Sequence, residues 1–195
     1  MNSVCNRIIK ETASIIAGRI MDTPAVELTQ SIENALALPP LPGKIWPGKG
    51  GVYVGIMRSE QHYWHLILAV DPMSIFNGAW GPEGTNITGA DSFTDGLANT
   101  RAMLNAGHEH PILQQLIEHN KTGQDGHTDF YLPAIRENNL INIYGQEHIE
   151  KAYHWSSTQD DADRAWLQDF EDGRQYVGSK DDQRAARAVR RELII

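Results

Sequence analysis

Apolar residues recur at helical spacing over the first part of this chain, and a cluster of prolines divides that part from the rest. Over residues 4–21, Val4, Ile8, Ile9, Ile15, Ile16 and Ile20 fall on one half of a helical wheel. Arg7, Lys10, Glu11, Ser14 and Gly18 fall opposite, as in an amphipathic helix. Asp22 or Thr23 then caps a second helix, with Pro24 at the first position, where no backbone N–H is needed. Ala25, Leu28, Ile32 and Ala35 continue at three–four spacing, with Leu36 alongside. Pro39-Pro40-Leu41-Pro42-Gly43 ends the pattern, because prolines at this density cannot keep helical hydrogen bonds and favour an extended spacer. The expected division is therefore a helical segment with its spacer over residues 1–43 and a second domain over 44–195. Helices this short rarely persist alone in water. A homo-oligomer held by residues 4–38 is expected to cover their apolar faces.

Beyond the spacer the residue types change. Val52–Met57 and Tyr63–Val70 are β-branched and aromatic, which predicts two strands, and Arg58-Ser59-Glu60-Gln61 suits the turn between them. Residues 71–96 are rich in Gly, Pro, Asn, Asp and Thr and predict a long loop, pinned by Trp80, Ile87 and Phe93. Helices are predicted over 97–106, over 111–119 with Leu113, Leu116 and Ile117 facing the core, and over 134–144. The remainder reads as strands and turns, so the domain is α+β.

Composition narrows the function. The 195 residues are 41% hydrophobic, an ordinary share for a globular chain. A formal net charge of −8 argues against nucleic-acid partners, which need a phosphate-neutralising surface. Arg184, Arg187, Arg190 and Arg191 form a local exception and are expected to pair with nearby carboxylates. Cys5 is the single cysteine, so no intrachain disulfide forms. Charged residues interrupt the apolar positions before Met21, and no run reaches transmembrane length. Cytoplasmic synthesis without membrane insertion is expected, and packaging in a virus particle would leave no mark in the sequence.

Motifs for catalysis are weak. Ser156, Ser157 and Thr158 lack a G-x-S-x-G elbow and are expected to satisfy a buried turn. His62-x-x-His65 and His108-x-His110 lack further ligands at zinc spacing. Asp125-Gly126-His127-Thr128-Asp129 lacks the carboxylate count of a calcium loop. No pair of carboxylates has a recognisable acid–base arrangement. No cofactor, no metal and no enzymatic activity are expected. Trp155, Trp166 and Phe170, set in strand runs, are expected in the core.

The last forty residues carry the strongest pattern: Tyr153-His154-Trp155-Ser156-Ser157-Thr158, then Ala165-Trp166-Leu167-Gln168-Asp169-Phe170, then Arg184-Ala185-Ala186-Arg187-Ala188-Val189-Arg190, separated by charged turns. This pattern resembles the C-terminal half of a C-type-lectin-like domain, in the branch named for the C-terminal domain of a collagen-like bacterial adhesin (Lcl C-terminal). Asp129-Phe130-Tyr131-Leu132-Pro133 is similar to that branch's D-W-Y-L-P turn, with Phe130 in place of Trp. Gly50-Gly51-Val52-Tyr53-Val54 resembles its opening strand, and Ala79-Trp80-Gly81 with Asn86-Ile87-Thr88-Gly89-Ala90 its central loop. The resemblance covers roughly residues 44–195 and implies a C-type-lectin-like domain preceded by the N-terminal helical pair. Phage receptor-binding proteins and retroelement-diversified variable proteins use related domains, which implies a phage or prophage product that displays a binding face. The calcium-dependent sugar motifs of lectins are absent. So are the cysteines on which the related formylglycine-generating enzyme depends.

Together these features predict a non-enzymatic recognition protein for a protein or glycan ligand. Its expected face comprises Asp160, Asp161, Asp163, Arg164, Gln168, Glu171, Asp172, Arg174, Tyr176, Lys180 and Asp181. The alternative is a structural or host-directed protein–protein interaction module that binds no glycan.

Overall fold

The computed structural model describes residues 38–58 and 62–194. The chain divides into two units, Met1–Pro39 and Pro40–Ile195. The expected N-terminal helices and the oligomer they would hold lie outside the described residues, as do Ser59–Gln61 of the expected hairpin turn.

Among the described residues, nine strands form two sheets. The first has the order β1-β2-β3-β9, all antiparallel, from β1 (Lys44–Trp46), β2 (Gly51–Arg58), β3 (Tyr63–Leu68) and β9 (Val189–Ile194). The second has the order β4-β8-β5-β6-β7, from β4 (Ile75–Gly78), β5 (Tyr153–Gln159), β6 (Arg164–Asp169), β7 (Gln175–Ser179) and β8 (Arg184–Arg187). Its strands are antiparallel except β5 and β8, which run parallel. The α-helices among the described residues are α1 (Gly96–Asn105), α2 (Pro111–Thr122) and α3 (Ile135–Tyr144). One antiparallel and one mixed sheet, packed with helices, make the domain α+β.

Local chemistry sets the helix ends. Asp95 caps α1 by accepting from the Ala98 N–H at 3.0 Å. Pro111 opens α2, and Gly123, at φ +64°, closes it in a conformation that favours glycine. The residue before α3, Ala134, has no capping side chain. Glu137 reaches back to its N–H at 2.8 Å instead.

One core cluster gathers Phe76, Trp80, Met103, Ile112, Trp155 and Leu167 between the second sheet and α1 and α2. Another joins Val52, Leu66, Leu68, Tyr131, Ile141 and Phe170, where α3 meets the first sheet. Two expected core residues depart from this. Ile117 is 47% exposed, because α2 turns it away from Leu113 and Leu116 toward an open cleft. Trp166 is only partly buried: strand alternation puts Ala165 and Leu167 inward and Trp166 on the opposite side. There it meets the edge of Phe93, which is 42% exposed and pins the loop through this contact rather than from the core.

Asp129–Pro133 runs extended rather than turned, and Tyr131 exchanges two backbone hydrogen bonds with Val189. The four C-terminal arginines each pair with a carboxylate: Arg184 with Asp182, Arg187 with Glu150, Arg190 with Asp129 and Glu192, and Arg191 with Asp95.

Candidate functional site

The polar residues of the last strands separate into two groups. β5, β6 and β7 form an antiparallel meander, which places successive turns at opposite ends of the strands. Arg164 stands opposite Ser179 at one end, and Gln168 stands opposite Gln175 at the other. At about 3.3 Å per residue, these ends are roughly 13 Å apart.

The first end carries Asp160, Asp161, Asp163, Arg164 and Asp181. Asp161 accepts from the N–H groups of Asp163 and Arg164 at 2.9 and 2.8 Å, fixing the turn. The Arg164 guanidinium grips Asp161 through two nitrogens at 3.0 and 2.7 Å and reaches Asp160 at 2.9 Å. These bonds hold the Asp161 carboxyl below its ordinary pKa. Asp163 accepts from Gly84 N–H at 3.1 Å, and Asp181 accepts from Ser179 Oγ at 2.6 Å. Most of this charge is therefore used in shaping the turns.

The second end carries Glu171, Asp172, Arg174 and Tyr176. Asp169 accepts from Glu171 N–H at 2.8 Å, and Asp172 accepts from Arg174 N–H at 2.9 Å. Tyr176 packs edge-to-face on Tyr153 with ring centres 5.8 Å apart, and both remain about two-fifths exposed. The Arg184 guanidinium lies 5.4 Å from the centre of the Tyr153 ring. The Asp169 carboxylate beside Tyr153 raises the pKa of its phenol. Tyr153 and Arg184 complete an aromatic and charged patch that the sequence does not reveal, because the parallel β5–β8 pairing that brings them together joins distant segments.

Two expected face residues are internal. Gln168 is fully buried: its Nε2 donates to the carbonyls of Asp169 and Arg174, and its Oε1 accepts from Gln175. Lys180 is also fully buried. Its Nζ donates to Thr85 O at 2.6 Å, Gln159 Oε1 at 2.8 Å and Ala162 O at 2.9 Å, and it lies 4.9 Å from the Trp80 ring centre. Burial lowers its pKa to about 8. Lys180 thus pins the long loop against the β5–β6 turn. Its backbone carbonyl also accepts from Trp80 N–H at 2.9 Å.

Ser156, Ser157 and Thr158 sit in a bulged part of β5 with no exposure. Ser156 Oγ donates to Trp166 O, and Thr158 Oγ1 donates to Ser92 O and accepts from Ile135 N–H. Glu137, also sealed, accepts from Ala134 N–H, Gly96 N–H and Tyr131 Oη at 2.8, 3.1 and 2.9 Å. Burial raises its pKa to about 7 despite these donors. His110 uses Nδ1 on Trp80 O, and His154 uses Nε2 on Glu150 O. Among the described residues, no group of three His, Cys, Asp or Glu residues is placed to hold a metal ion. No helix among them is long and apolar enough to cross a membrane.

A separate cleft of about 640 Å³ opens where β3 and β9 approach α1 and α2. It is lined by Trp64, Arg101, Leu104, Ile117, Arg191 and Leu193, among others.

No protein family matches the chain, and no curated protein does. Among solved structures, a fimbrial protein from Bacteroides ovatus ATCC 8483 is similar over 66% of this chain and 35% of that one, with 11% sequence identity and a TM-score of 0.47.

Proposed function

We propose that this α+β domain is C-type-lectin-like and works as a non-enzymatic recognition module that takes a glycan through the β6–β7 end of its second sheet. The observation that carries the reading is the exposed Tyr153–Tyr176 pair, bordered by Asp172, Arg174 and Arg184. Tyrosine rings present an apolar face with a polar tip, which suits a sugar ring. Carboxylates and guanidinium groups beside them supply charge-assisted hydrogen bonds to hydroxyls. The turns are held by their own aspartates, so little ordering cost remains for binding. Glu171, Asp172, Arg174 and Tyr176 are the contact residues, joined by Tyr153 and Arg184. Asp160, Asp161, Asp163, Arg164 and Asp181 form a flanking rim at the far end.

Two features support the lectin-like reading. The motif segments coincide with β5, β6 and β8–β9, and the first and last strands share one sheet. A phage or prophage origin fits a displayed binding face, and tail genes beside the coding sequence would support it. The test is a glycan array probed with the intact protein and with Arg174→Ala/Tyr176→Ala. Glycans retained by the first and lost by the second are expected. Equal retention by both, or no retained glycan, overturns the proposal. Binding of proteins but not glycans would favour the interaction-module alternative.

A further inference from the structure

Among the described residues, nothing pairs with the edge of β9 where the cleft begins. Val189 turns its N–H and C=O outward from the sheet and exchanges them with Tyr131 at 2.9 and 2.8 Å. In an antiparallel ladder, alternate residues point the same way, so Arg191 and Leu193 turn the same groups outward. No described residue accepts or donates to them, because the chain before Tyr131 diverges from β9. An edge of this kind is a template for another strand, and proteins usually cover or blunt it. Here the side chains beside it do the opposite. Leu193, Leu104 and Ile117 are 55%, 46% and 47% exposed, and they make an apolar wall along the opening. Arg101, also exposed at the cleft, has no carboxylate partner among the described residues, whereas Arg191 is taken by Asp95 at 3.0 Å.

We propose that the cleft takes an extended peptide segment of a partner protein, which adds as a short strand to the free edge of β9. The four outward backbone groups of Arg191 and Leu193 bond its main chain. Its alternate side chains, spaced by the strand period of two, meet the wall of Leu104, Ile117 and Leu193. An acidic residue of the peptide pairs with Arg101. The cleft volume of about 640 Å³ is within the range, about 300–1,000 Å³, of sites that enclose a ligand. This site is on the other sheet from the tyrosine patch and does not depend on its function.

The geometry supplies a selective test. At Leu193 the N–H points away from β3, so Leu193→Pro removes a docking donor and leaves the ladder to β3 intact. At Glu192 the N–H points toward β3, so Glu192→Pro breaks the ladder itself. The probe is a displayed library of random linear dodecapeptides, selected on the full-length protein. Enriched peptides are expected to alternate apolar residues and to include Asp or Glu. Adding one should slow hydrogen exchange at the Arg191 and Leu193 amides at least tenfold. Leu193→Pro should weaken its binding at least tenfold while keeping the parent melting temperature, and Glu192→Pro should lower that temperature. Should Leu193→Pro fail to fold, Leu104→Asp, at an exposed position, must give the same tenfold loss. The proposal is overturned if no peptide is enriched, if the enriched peptides bind both variants as they bind the parent, or if protection appears away from β9.

Discussion

Replacing Glu137 by glutamine should change how stability depends on pH in a direction the structure dictates. The carboxyl is sealed from solvent and holds three donors, from α1, α3 and Tyr131. Glutamine has the same shape: its Oε1 can accept from both backbone N–H groups, and its Nε2 can donate to the Tyr131 oxygen. What the variant loses is the proton equilibrium. The folded-state pKa stands at about 7 against an ordinary 4.5. The folded protein therefore holds this proton more tightly than the unfolded chain. The resulting stabilisation is fully present below pH 4.5 and is lost as pH rises through 7. The gap corresponds to about 3 kcal/mol, since each pKa unit is about 1.4 kcal/mol. Urea melts of parent and Glu137→Gln at pH 4.5 and pH 8 measure it directly. The stability difference, variant minus parent, should be about 3 kcal/mol more positive at pH 8 than at pH 4.5. Using the difference of differences cancels any packing change that does not depend on pH. A difference that stays constant to within about 0.5 kcal/mol would refute the reasoning, because Glu137 would then titrate as it does in the unfolded chain.

His154 gives the opposite dependence. Burial takes its pKa from 6.5 to about 4, so its stabilisation is present above pH 6.5 and is lost as pH falls through 4; in urea melts, His154→Gln should reduce the acid loss by about 3 kcal/mol. Lys180→Met should lower stability by about 1–3 kcal/mol in thermal melts, because Thr85 O is left half-buried without its donor, whereas Gln159 Oε1 and Ala162 O keep Ile87 N–H and Thr85 N–H. Trp155→Ala should cost about 3–5 kcal/mol, since Trp155 is fully buried and bonds Gly78 O at 3.1 Å. Trp166→Ala should cost clearly less, about 1–2 kcal/mol, because Trp166 is only partly buried.

Several elements were readable from the chain because each is a local matter, whereas β4 lies in the stretch 71–96 expected to be a loop. β-branched and aromatic runs mark β2 and β3, and α2 starts at Pro111 as expected but continues to Thr122, beyond the expected end at 119. The site was less legible because its geometry depends on strand order. Residues 160–164 and 171–174 are close in sequence, yet a meander sends their turns to opposite ends. Tyr153 joins Tyr176 only across β6. Lys180 stands between Ser179 and Asp181 in a polar run and looks like a surface residue. Its acceptors, at positions 85, 159 and 162, come from segments no local pattern connects. Glu137 is similar: Gly96 and Tyr131 reach it through tertiary packing, and a side chain at position 96 would collide with its Oε2.

Titration of the strongest array glycan against the intact protein tests the central claim most directly, with Arg174→Ala/Tyr176→Ala and the helix-side control Gln114→Ala/Glu118→Ala/Lys121→Ala run in parallel. All three control residues lie exposed on α2. Loss of a binding hot spot costs about 2 kcal/mol or more, roughly thirtyfold in Kd. Surface changes elsewhere alter stability by under about 0.5 kcal/mol. A rise in Kd of at least thirtyfold is expected for the tyrosine-end variant at an unchanged Tm, and no change for the control. An unchanged Kd for the tyrosine-end variant, or a loss confined to the control, would contradict that claim.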